Sequence, residues 1–151
     1  MKSSEVVDFE LDRFVPYLVS ALASRLSAGL ARVYETRFGI TNAEWRVLAH
    51  LSANAKVSVR EIHARVSMDK VKVSRAAARL EEAGLIRKQI NQADQRLVEL
   101  RLSARGRALF AEIAPLALAY EEEALSSLSE KERGSLRTLL GKLGEAPLAQ
   151  R

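Results

Sequence analysis

The chain of 151 residues contains no cysteine, which excludes disulfide bonds, thiolate metal sites and a cysteine redox sensor and fits a reducing cytoplasm. Aromatic residues make up only 5% of the sequence, so the core must consist mainly of Leu, Val, Ile and Ala. No apolar run approaches the roughly 18 residues that a membrane-spanning helix needs. The first 12 residues are acidic and polar, which does not fit a secretory signal peptide. We therefore expect a single cytoplasmic domain, 1–151, with no membrane partner.

Groups that could catalyse a reaction are also scarce. His50 and His63 are the only histidines, and neither has a carboxylate at metal-ligand spacing. The sequence has no glycine-rich phosphate-binding loop and no nucleophile elbow. We therefore expect no catalytic residue, no metal, no cofactor and no enzymatic activity.

Positive charge is concentrated in one third of the chain. The formal net charge is +5. Residues 56–107 contain 13 Lys+Arg and 6 Asp+Glu, a balance of +7, so the rest of the chain carries −2. A solvated basic face would explain this by itself. Combined with the helical pattern described next, it favours a polyanionic partner.

Apolar residues recur at spacings of three and four in six segments, which predicts six helices. The predicted helices cover about 10–37, 41–53, 58–66, 69–82, 104–128 and a last segment between Ser129 and Gly144. Thr41, Ser58 and Ser129 each precede a glutamate by three residues, which is the capping-box pattern. Residues 86–90 and 97–102 are predicted strands, the second because Val98, Leu100 and Leu102 alternate with polar residues. The predicted class is mainly α with a small β wing.

The segment 58–101 has the pattern of a helix-turn-helix followed by a two-stranded wing. Its second helix has cations on one side and Val73, Ala76, Ala77 and Leu80 on the other, which suits an element packed between its own domain and DNA. The candidate DNA-binding residues are Lys70, Lys72, Ser74, Arg75 and Arg79 on this helix and Asp94 and Arg96 in the wing. The alternatives are a surface helix with scattered cations and a surface ion pair in a hairpin.

In this order, the elements resemble the MarR family of bacterial transcription regulators. The resemblance is carried by Thr41-x-x-Glu44-Trp45-Arg46-Val47-Leu48, Val59-x-x-Ile62, Asp69-Lys70-x-x-Val73-Ser74-Arg75, Leu80-Glu81-x-x-Gly84-Leu85-Ile86, Asp94-x-Arg96 and Leu102-Ser103-x-x-Gly106. Each fragment is weak alone, but the ordered set is specific. Two positions depart from the family pattern: His63, where a small residue is usual, and Ser67, where the turn often has glycine.

The resemblance implies a homodimer that binds double-stranded DNA. In such proteins the first and the last two helices form the dimer interface, here 10–37 and 104–145, and flank a winged helix-turn-helix lobe, here 41–102. The recognition helix enters the major groove and the wing reaches an adjacent minor groove. Many members are repressors that small anionic or aromatic ligands release.

The resemblance also implies an effector pocket between the first helix, the second helix and the DNA-binding lobe. The polar and aromatic residues of that region are Tyr17, Arg25, Trp45, Arg46 and His50. An arginine could pair with a carboxylate and Trp45 could stack on a ring. The alternative is that Trp45 belongs to the core and both arginines are solvated.

The leading interpretation is a sequence-specific, dimeric DNA-binding regulator, most simply a repressor that responds to a small molecule. A winged helix that binds protein instead of DNA would tolerate loss of the basic face. A non-specific DNA-coating protein would barely distinguish a target site from bulk DNA, whereas a specific binder discriminates by about 10³ or more.

Overall fold

The computed structural model of the protein describes residues 7–54, 56–66 and 68–146. Its helices are α1 (Val15–Phe38), α2 (Asn42–Ala53), α3 (Val59–Arg65), α4 (Lys70–Glu82), α5 (Ala104–Ala124) and α6 (Glu130–Glu145), with a short 3-10 helix, Leu11–Arg13, before α1. Its strands are β1 (Val57–Ser58), β2 (Ile86–Ile90) and β3 (Val98–Leu102). The predicted class, mainly α with a small β wing, is confirmed. No helix within these ranges is long and apolar enough to cross a membrane.

Two of the three predicted capping boxes are complete. At Thr41 and Ser129 the side chain accepts the glutamate backbone N–H, and the glutamate carboxylate accepts the N–H of the cap residue. At Ser58 only the first bond forms, since the hydroxyl itself donates to the Glu61 carboxylate. Ser58 is also the last residue of β1, so its backbone serves a strand as well as a helix.

The first predicted helix is interrupted, and the fifth ends early. Phe14 is extended between the 3-10 helix and α1, and Pro16 lies in the first turn of α1. Proline has no N–H to donate to an earlier carbonyl and its fixed φ suits the first turn of a helix, so Pro16 favours a helix that begins beside it over one that begins at residue 10. The fifth helix, α5, ends at Ala124 and is followed by a turn. In this turn the carbonyls of Leu125 and Leu128 accept hydrogen bonds from the guanidinium of Arg133.

The wing is part of a three-stranded antiparallel sheet with the order β1-β3-β2. The two-residue β1 is too short to leave a sequence pattern and was not predicted; Val57 pairs with Leu100. The hairpin β2–β3 pairs Ile86 with Leu102 and Ile90 with Val98. Leu100 and Leu102 are buried as the alternation predicted, but Val98, beside the hairpin tip, is 37% exposed.

One core holds the sheet and helices α1 to α5 together. Its largest fully buried members are Tyr34, Leu48, Ile62, Leu80, Ile86, Leu100 and Ile113. The Tyr34 hydroxyl donates to Asn42 Oδ1 at 2.8 Å, which joins α1 to α2. Burial, and then the charge of Glu35, raises the pKa of Tyr34 to about 12. By contrast, α6 has no buried residue, and the N-terminal half of α1 is exposed on several sides.

Candidate DNA-binding surface

Helices α3 and α4 form the helix-turn-helix. Ile62 on α3 and Val73 on α4 are fully buried, so each helix has one face fixed in the core. The His63 side chain bonds to the Met68 carbonyl through Nδ1 at 3.0 Å. Because a carbonyl oxygen only accepts, this bond places a proton on Nδ1. His63, one of the two departures from the family pattern, therefore connects α3 to the residues just before α4. Ser67, the other departure, lies outside the described residues.

The first two turns of α4 present most of the predicted cations to solvent. Asp69 caps the helix by accepting the Lys72 backbone N–H at 2.9 Å. Val73, Ala76, Ala77 and Leu80 are buried. Residues of an α-helix follow each other at about 100°, so the side opposite this buried stripe is the outward face. The exposed side chains near its N-terminus are Lys70, Val71, Lys72, Ser74 and Arg75.

Arg79 lies on a different side of α4 from the wing. Its Nη1 is 4.0 Å from Oε1 of Glu44, a carboxylate that is almost fully buried on α2. Around the axis of α4, the Arg79 side chain is rotated by about 140° from that of Ser74, which lies on the side facing the wing. Arg79 instead lines a depression with Arg105 and Glu112 of α5. Arg79 therefore has a structural alternative to its predicted role at DNA, a long ion pair between α4 and α2.

The hairpin tip holds Arg96 in a defined position. Asn91 Oδ1 accepts the backbone N–H groups of Ala93 and Asp94, which closes the turn. Asp94 Oδ1 then accepts both the backbone N–H and the Nε of Arg96, each at 3.1 Å. These two hydrogen bonds, side chain first, hold the pKa of Asp94 below its usual range. The predicted pair forms, and the Arg96 side chain stays 91% exposed.

A second set of contacts anchors this tip to the lobe. Glu99 on β3 lies 2.8 Å from Lys56 Nζ and also accepts from the Asn91 side chain. The hydrogen bond from Lys56 is the largest cause that lowers the pKa of Glu99. The chain of contacts therefore runs from Lys56 before β1, through Glu99 and Asn91, to Asp94 and Arg96. These contacts fix the position of the hairpin tip relative to the DNA-binding lobe, although the hairpin is largely exposed.

A basic groove lies between the helix-turn-helix and the wing. It is a cavity of about 670 Å³, with cations from four elements at its walls: Arg60, Lys70, Lys88 and Arg96. None of the described residues that line it is acidic, although two of its cations are ion-paired at 3.1 Å with carboxylates beside it, Lys88 with Glu81 and Arg96 with Asp94. Lys70, Ser74 and Arg96 are among the candidate DNA-binding residues predicted from the sequence, whereas Arg60, His63 and Lys88, which line the same groove, were not predicted. Strand alternation places Lys88 on the same side of β2 as Ile86 and Ile90, and nothing in the sequence of β2 indicates that this side borders the groove.

A second, more apolar cavity of about 360 Å³ lies between α1, α2, α5 and α6. Trp45 and Arg46, both in the predicted effector set, line it together with Tyr120, Glu121 and two arginines of α6. Trp45 stacks with Tyr34 at 5.6 Å and with Phe110 at 5.3 Å between ring centroids, so part of its ring is committed to the core. Arg46 Nη1 also donates to the Val66 carbonyl at 3.4 Å.

The other three residues of the effector set do not line this cavity. Tyr17 and Arg25 are exposed on the N-terminal part of α1. His50 is half-buried on α2, and its Nε2 has no hydrogen-bond partner among the described residues. Burial, and then the charge of Arg65, lowers the pKa of His50. The structure therefore brings together two of the five residues, and the roles of all five remain predictions.

The fold and the basic groove together define a winged helix-turn-helix DNA-binding protein. A family model described as MarR family matches residues 38–97. The HTH-type transcriptional repressor MdtR of Bacillus subtilis is 32% identical over 108 residues, covering 72% of this chain and 70% of MdtR. The chain belongs to the MarR family and is a DNA-binding transcriptional regulator.

Two further relatives agree with this assignment. The HTH-type transcriptional regulator BilQ of Clostridium symbiosum is 34% identical over 88 residues, which are 58% of this chain and 61% of BilQ. The match therefore spans less than two thirds of the length of BilQ. The structure of BpsR from Bordetella bronchiseptica is similar, with a TM-score of 0.84 at 25% identity over 91% of this chain and 98% of that protein. MdtR and BilQ are named as regulators of transcription, which is not an enzymatic role.

Proposed function

We propose that the chain is a sequence-specific repressor that acts as a homodimer, binds an imperfect palindrome and is released by a small aromatic or anionic ligand. The observation that carries this proposal is the basic groove between α4 and the wing, with cations from α3, α4, β2 and the hairpin tip. Lysine and arginine at these positions suit phosphate contacts, while an arginine on the outward face of α4 suits a guanine edge. In this assignment Lys70, Lys72, Ser74, Arg75, Asp94 and Arg96 act at DNA, and Arg79 acts mainly through Glu44.

The homodimer is supported by apolar surface at both ends of the chain. The side chains concerned are about half exposed and include Leu18, Val19 and Leu22 on α1 and Leu139, Leu140 and Leu143 on α6. One winged-helix lobe cannot bury them, whereas obligate interfaces typically bury about 2,000 Å² or more. We assign 10–37 and 104–145 to dimerisation and 41–102 to DNA binding. A two-fold dimer then presents two α4 helices to one palindromic site.

Repression is supported by relationship, because MdtR is named a transcriptional repressor. The relatives are bacterial proteins. A regulator of this kind acts on the bacterial chromosome, which supports a cytoplasmic location as part of the proposal. The repressor would act by occupying an operator that overlaps a promoter.

The release by a ligand is supported by the cavity beside Trp45. It combines aliphatic and aromatic walls with three guanidinium groups, those of Arg46, Arg133 and Arg137. Arg133 and Arg137 are already paired with glutamates of α5, at 2.8 and 3.2 Å. Among the described residues, Arg46 has no such ion pair. It is the natural partner for a ligand carboxylate, and DNA binding by BpsR is regulated by 6-hydroxynicotinic acid.

Footprinting of the purified full chain on the intergenic DNA beside its own gene tests the proposal. We expect one protected region with two half-sites about 10 base pairs apart between centres. We also expect reduced transcription of a reporter placed under that DNA. Protection of a single asymmetric half-site, or a reporter that does not respond, would contradict the proposal.

The ligand part is tested on the same DNA with 6-hydroxynicotinic acid and benzoic acid as probes. A ligand coupled by about 1–3 kcal/mol weakens DNA binding by roughly 5- to 150-fold, and DNA must weaken ligand binding equally. If neither probe changes Trp45 fluorescence or DNA affinity, these two acids are excluded as effectors. The repressor assignment would stand without them.

A further inference from the structure

We propose that Val71 is a specificity-determining residue that reads the C5-methyl group of a thymine in each half-site. This inference rests on the proposed sequence-specific binding and adds a base to it. Val71 is the second residue of α4 and its side chain is 58% exposed. It is not among the candidates predicted from the sequence, because it has neither the charge nor the hydroxyl group by which those residues stand out.

Val71 lies on the side of α4 opposite the core. Val73, Ala76, Ala77 and Leu80 define the buried side of the helix. With about 100° between successive residues, Val71 and Arg75 point within about 30° of the opposite direction. They are the outermost side chains of the first two turns. In helix-turn-helix proteins the N-terminal residues of the recognition helix contact base edges, so Val71 is placed at the floor of the major groove.

The chemistry of the major groove is the second argument. Base edges there present hydrogen-bond donors, hydrogen-bond acceptors and one apolar group, the methyl group of thymine. Valine has neither donor nor acceptor, so any other edge would lose water without gaining a partner. Only thymine offers surface that valine can bury favourably.

The surroundings of Val71 are the third argument. Its nearest exposed neighbours on α4 are Lys70, Lys72, Ser74 and Arg75, so it belongs to no apolar cluster on the described part of this helix. Its β-branched side chain has one strongly preferred rotamer in a helix. The two methyl groups are therefore held in place before DNA binds. A fixed apolar group amid phosphate-binding cations suits recognition of one base more than general adhesion.

The experiment begins with selection of bound sites from a randomised duplex library by the wild-type full chain and by Val71→Ala. We expect the wild type to enrich thymine at one fixed position in each half-site. Val71→Ala should keep the rest of the consensus and lose that thymine. Val71→Thr, which preserves the β-branch and the volume, serves as a second variant, and circular dichroism checks the fold of both.

Deoxyuridine then isolates the methyl group, because it pairs as thymine does and lacks only C5-methyl. Replacing the selected thymine should weaken wild-type binding about fourfold per half-site, which corresponds to burial of roughly one methyl group. Val71→Ala should bind both duplexes equally. Arg75→Ala is the matched control, since it should retain the deoxyuridine penalty while losing preference at another position.

The outcomes separate this inference from the function on which it rests. A wild type that selects a consensus but binds thymine and deoxyuridine sites equally overturns the role of Val71 and leaves sequence-specific binding intact. The same holds if Val71→Ala selects the wild-type thymine and keeps the full deoxyuridine penalty. A wild type that selects no consensus overturns both.

Discussion

The backbone N–H and the guanidinium Nε of Arg96 both donate to one oxygen, Asp94 Oδ1, at 3.1 Å each. The two bonds fix the start of the Arg96 side chain at the hairpin tip. The same bonds lower the pKa of the Asp94 carboxyl below its ordinary value, the bond from the Arg96 side chain most of all. An exposed pair of this kind adds little to the stability of the fold, so its effect should be sought at DNA.

Arg96→Ala should leave folding and dimerisation nearly unchanged, because surface substitutions usually shift stability by less than about 0.5 kcal/mol. It should weaken binding to many DNA sequences and reduce the slope of log affinity against log salt by about one per subunit. Arg75→Ala should instead cost about 1–3 kcal/mol and relax preference at one position of each half-site. Both variants are measured at several salt concentrations on operator and scrambled DNA. Equal binding by Arg96→Ala and the wild type at every salt concentration would remove the wing from the mechanism.

Glu44 and Arg79 should act mainly on stability. The Glu44 carboxylate accepts the Thr41 backbone N–H at 3.0 Å and also faces Arg79. Glu44→Ala removes half of a capping box and should lower the free energy of unfolding by about 0.5–2 kcal/mol. Arg79→Ala should cost less, because the ion pair is long and Arg79 is mostly exposed. Urea unfolding measures both, and a loss of base preference in Arg79→Ala as large as that in Arg75→Ala would restore Arg79 to the DNA interface.

Arg46 should connect the ligand cavity with the helix-turn-helix. It lines the cavity and donates to the Val66 carbonyl at the C-terminal end of α3. A carboxylate in the cavity would compete with that carbonyl for the guanidinium. With a ligand that weakens wild-type DNA binding, Arg46→Met should reduce the ratio of DNA affinities without and with ligand toward one. Arg46→Lys keeps the charge but lacks the planar guanidinium, so its affinity ratio should lie between those of the wild type and Arg46→Met. An unchanged ratio in Arg46→Met would show that Arg46 does not connect ligand binding in the cavity with the helix-turn-helix.

The stability of the protein should fall in mildly acidic solution because of His50. Burial, and then Arg65, lowers its pKa in the folded state, so the unfolded state binds more protons. The stabilising contribution is complete above about pH 6.5, the ordinary histidine value, and is lost as pH falls through the lower folded pKa. Thermal unfolding at pH 7.5 and 5.5 should show a smaller pH dependence for His50→Gln than for the wild type. Identical pH dependence in both proteins would show that His50 is not the cause.

Leu139→Glu should abolish dimerisation and DNA binding together. Leu139 is 57% exposed on α6, and a carboxylate at a closed apolar interface would be buried without a partner. Thr138→Glu is the matched control, because it adds the same charge about 150° from the centre of the leucine stripe. Sedimentation at micromolar concentration should give a dimer for the wild type and Thr138→Glu and a monomer for Leu139→Glu. A folded wild-type monomer at that concentration would contradict the dimer.

The elements themselves were largely predictable from local patterns. Apolar spacing placed the six helices, and Gly39 and Gly84, both with positive φ, stand where α1 and α4 end. The cap residues Thr41 and Ser129 also determine their helix starts without help from tertiary structure. By contrast, β1 depends on pairing with β3, a contact between distant residues that no local pattern contains.

The site was less predictable, because exposure and pairing depend on the folded lobe. The pattern of α4 identified its cations but could not tell that Arg79 faces a buried glutamate on α2. Arg60 and Lys88 join the groove only because the fold brings α3 close to the wing strand β2. In the effector set, Tyr17 and Arg25 were chosen by chemical type within the region that the resemblance implies, and the fold places them on exposed parts of α1.

The proposed function requires that the outward face of α4, beside the basic groove, reads a particular DNA sequence. The most direct measurement compares the affinity of the wild-type full chain for its selected site and for a scrambled duplex of equal length, at roughly physiological salt. We predict that the selected site binds about 10³-fold or more tightly. A ratio near one, maintained as salt is varied, would mean that α4 and the groove attract phosphate without reading bases, which would contradict the proposed function.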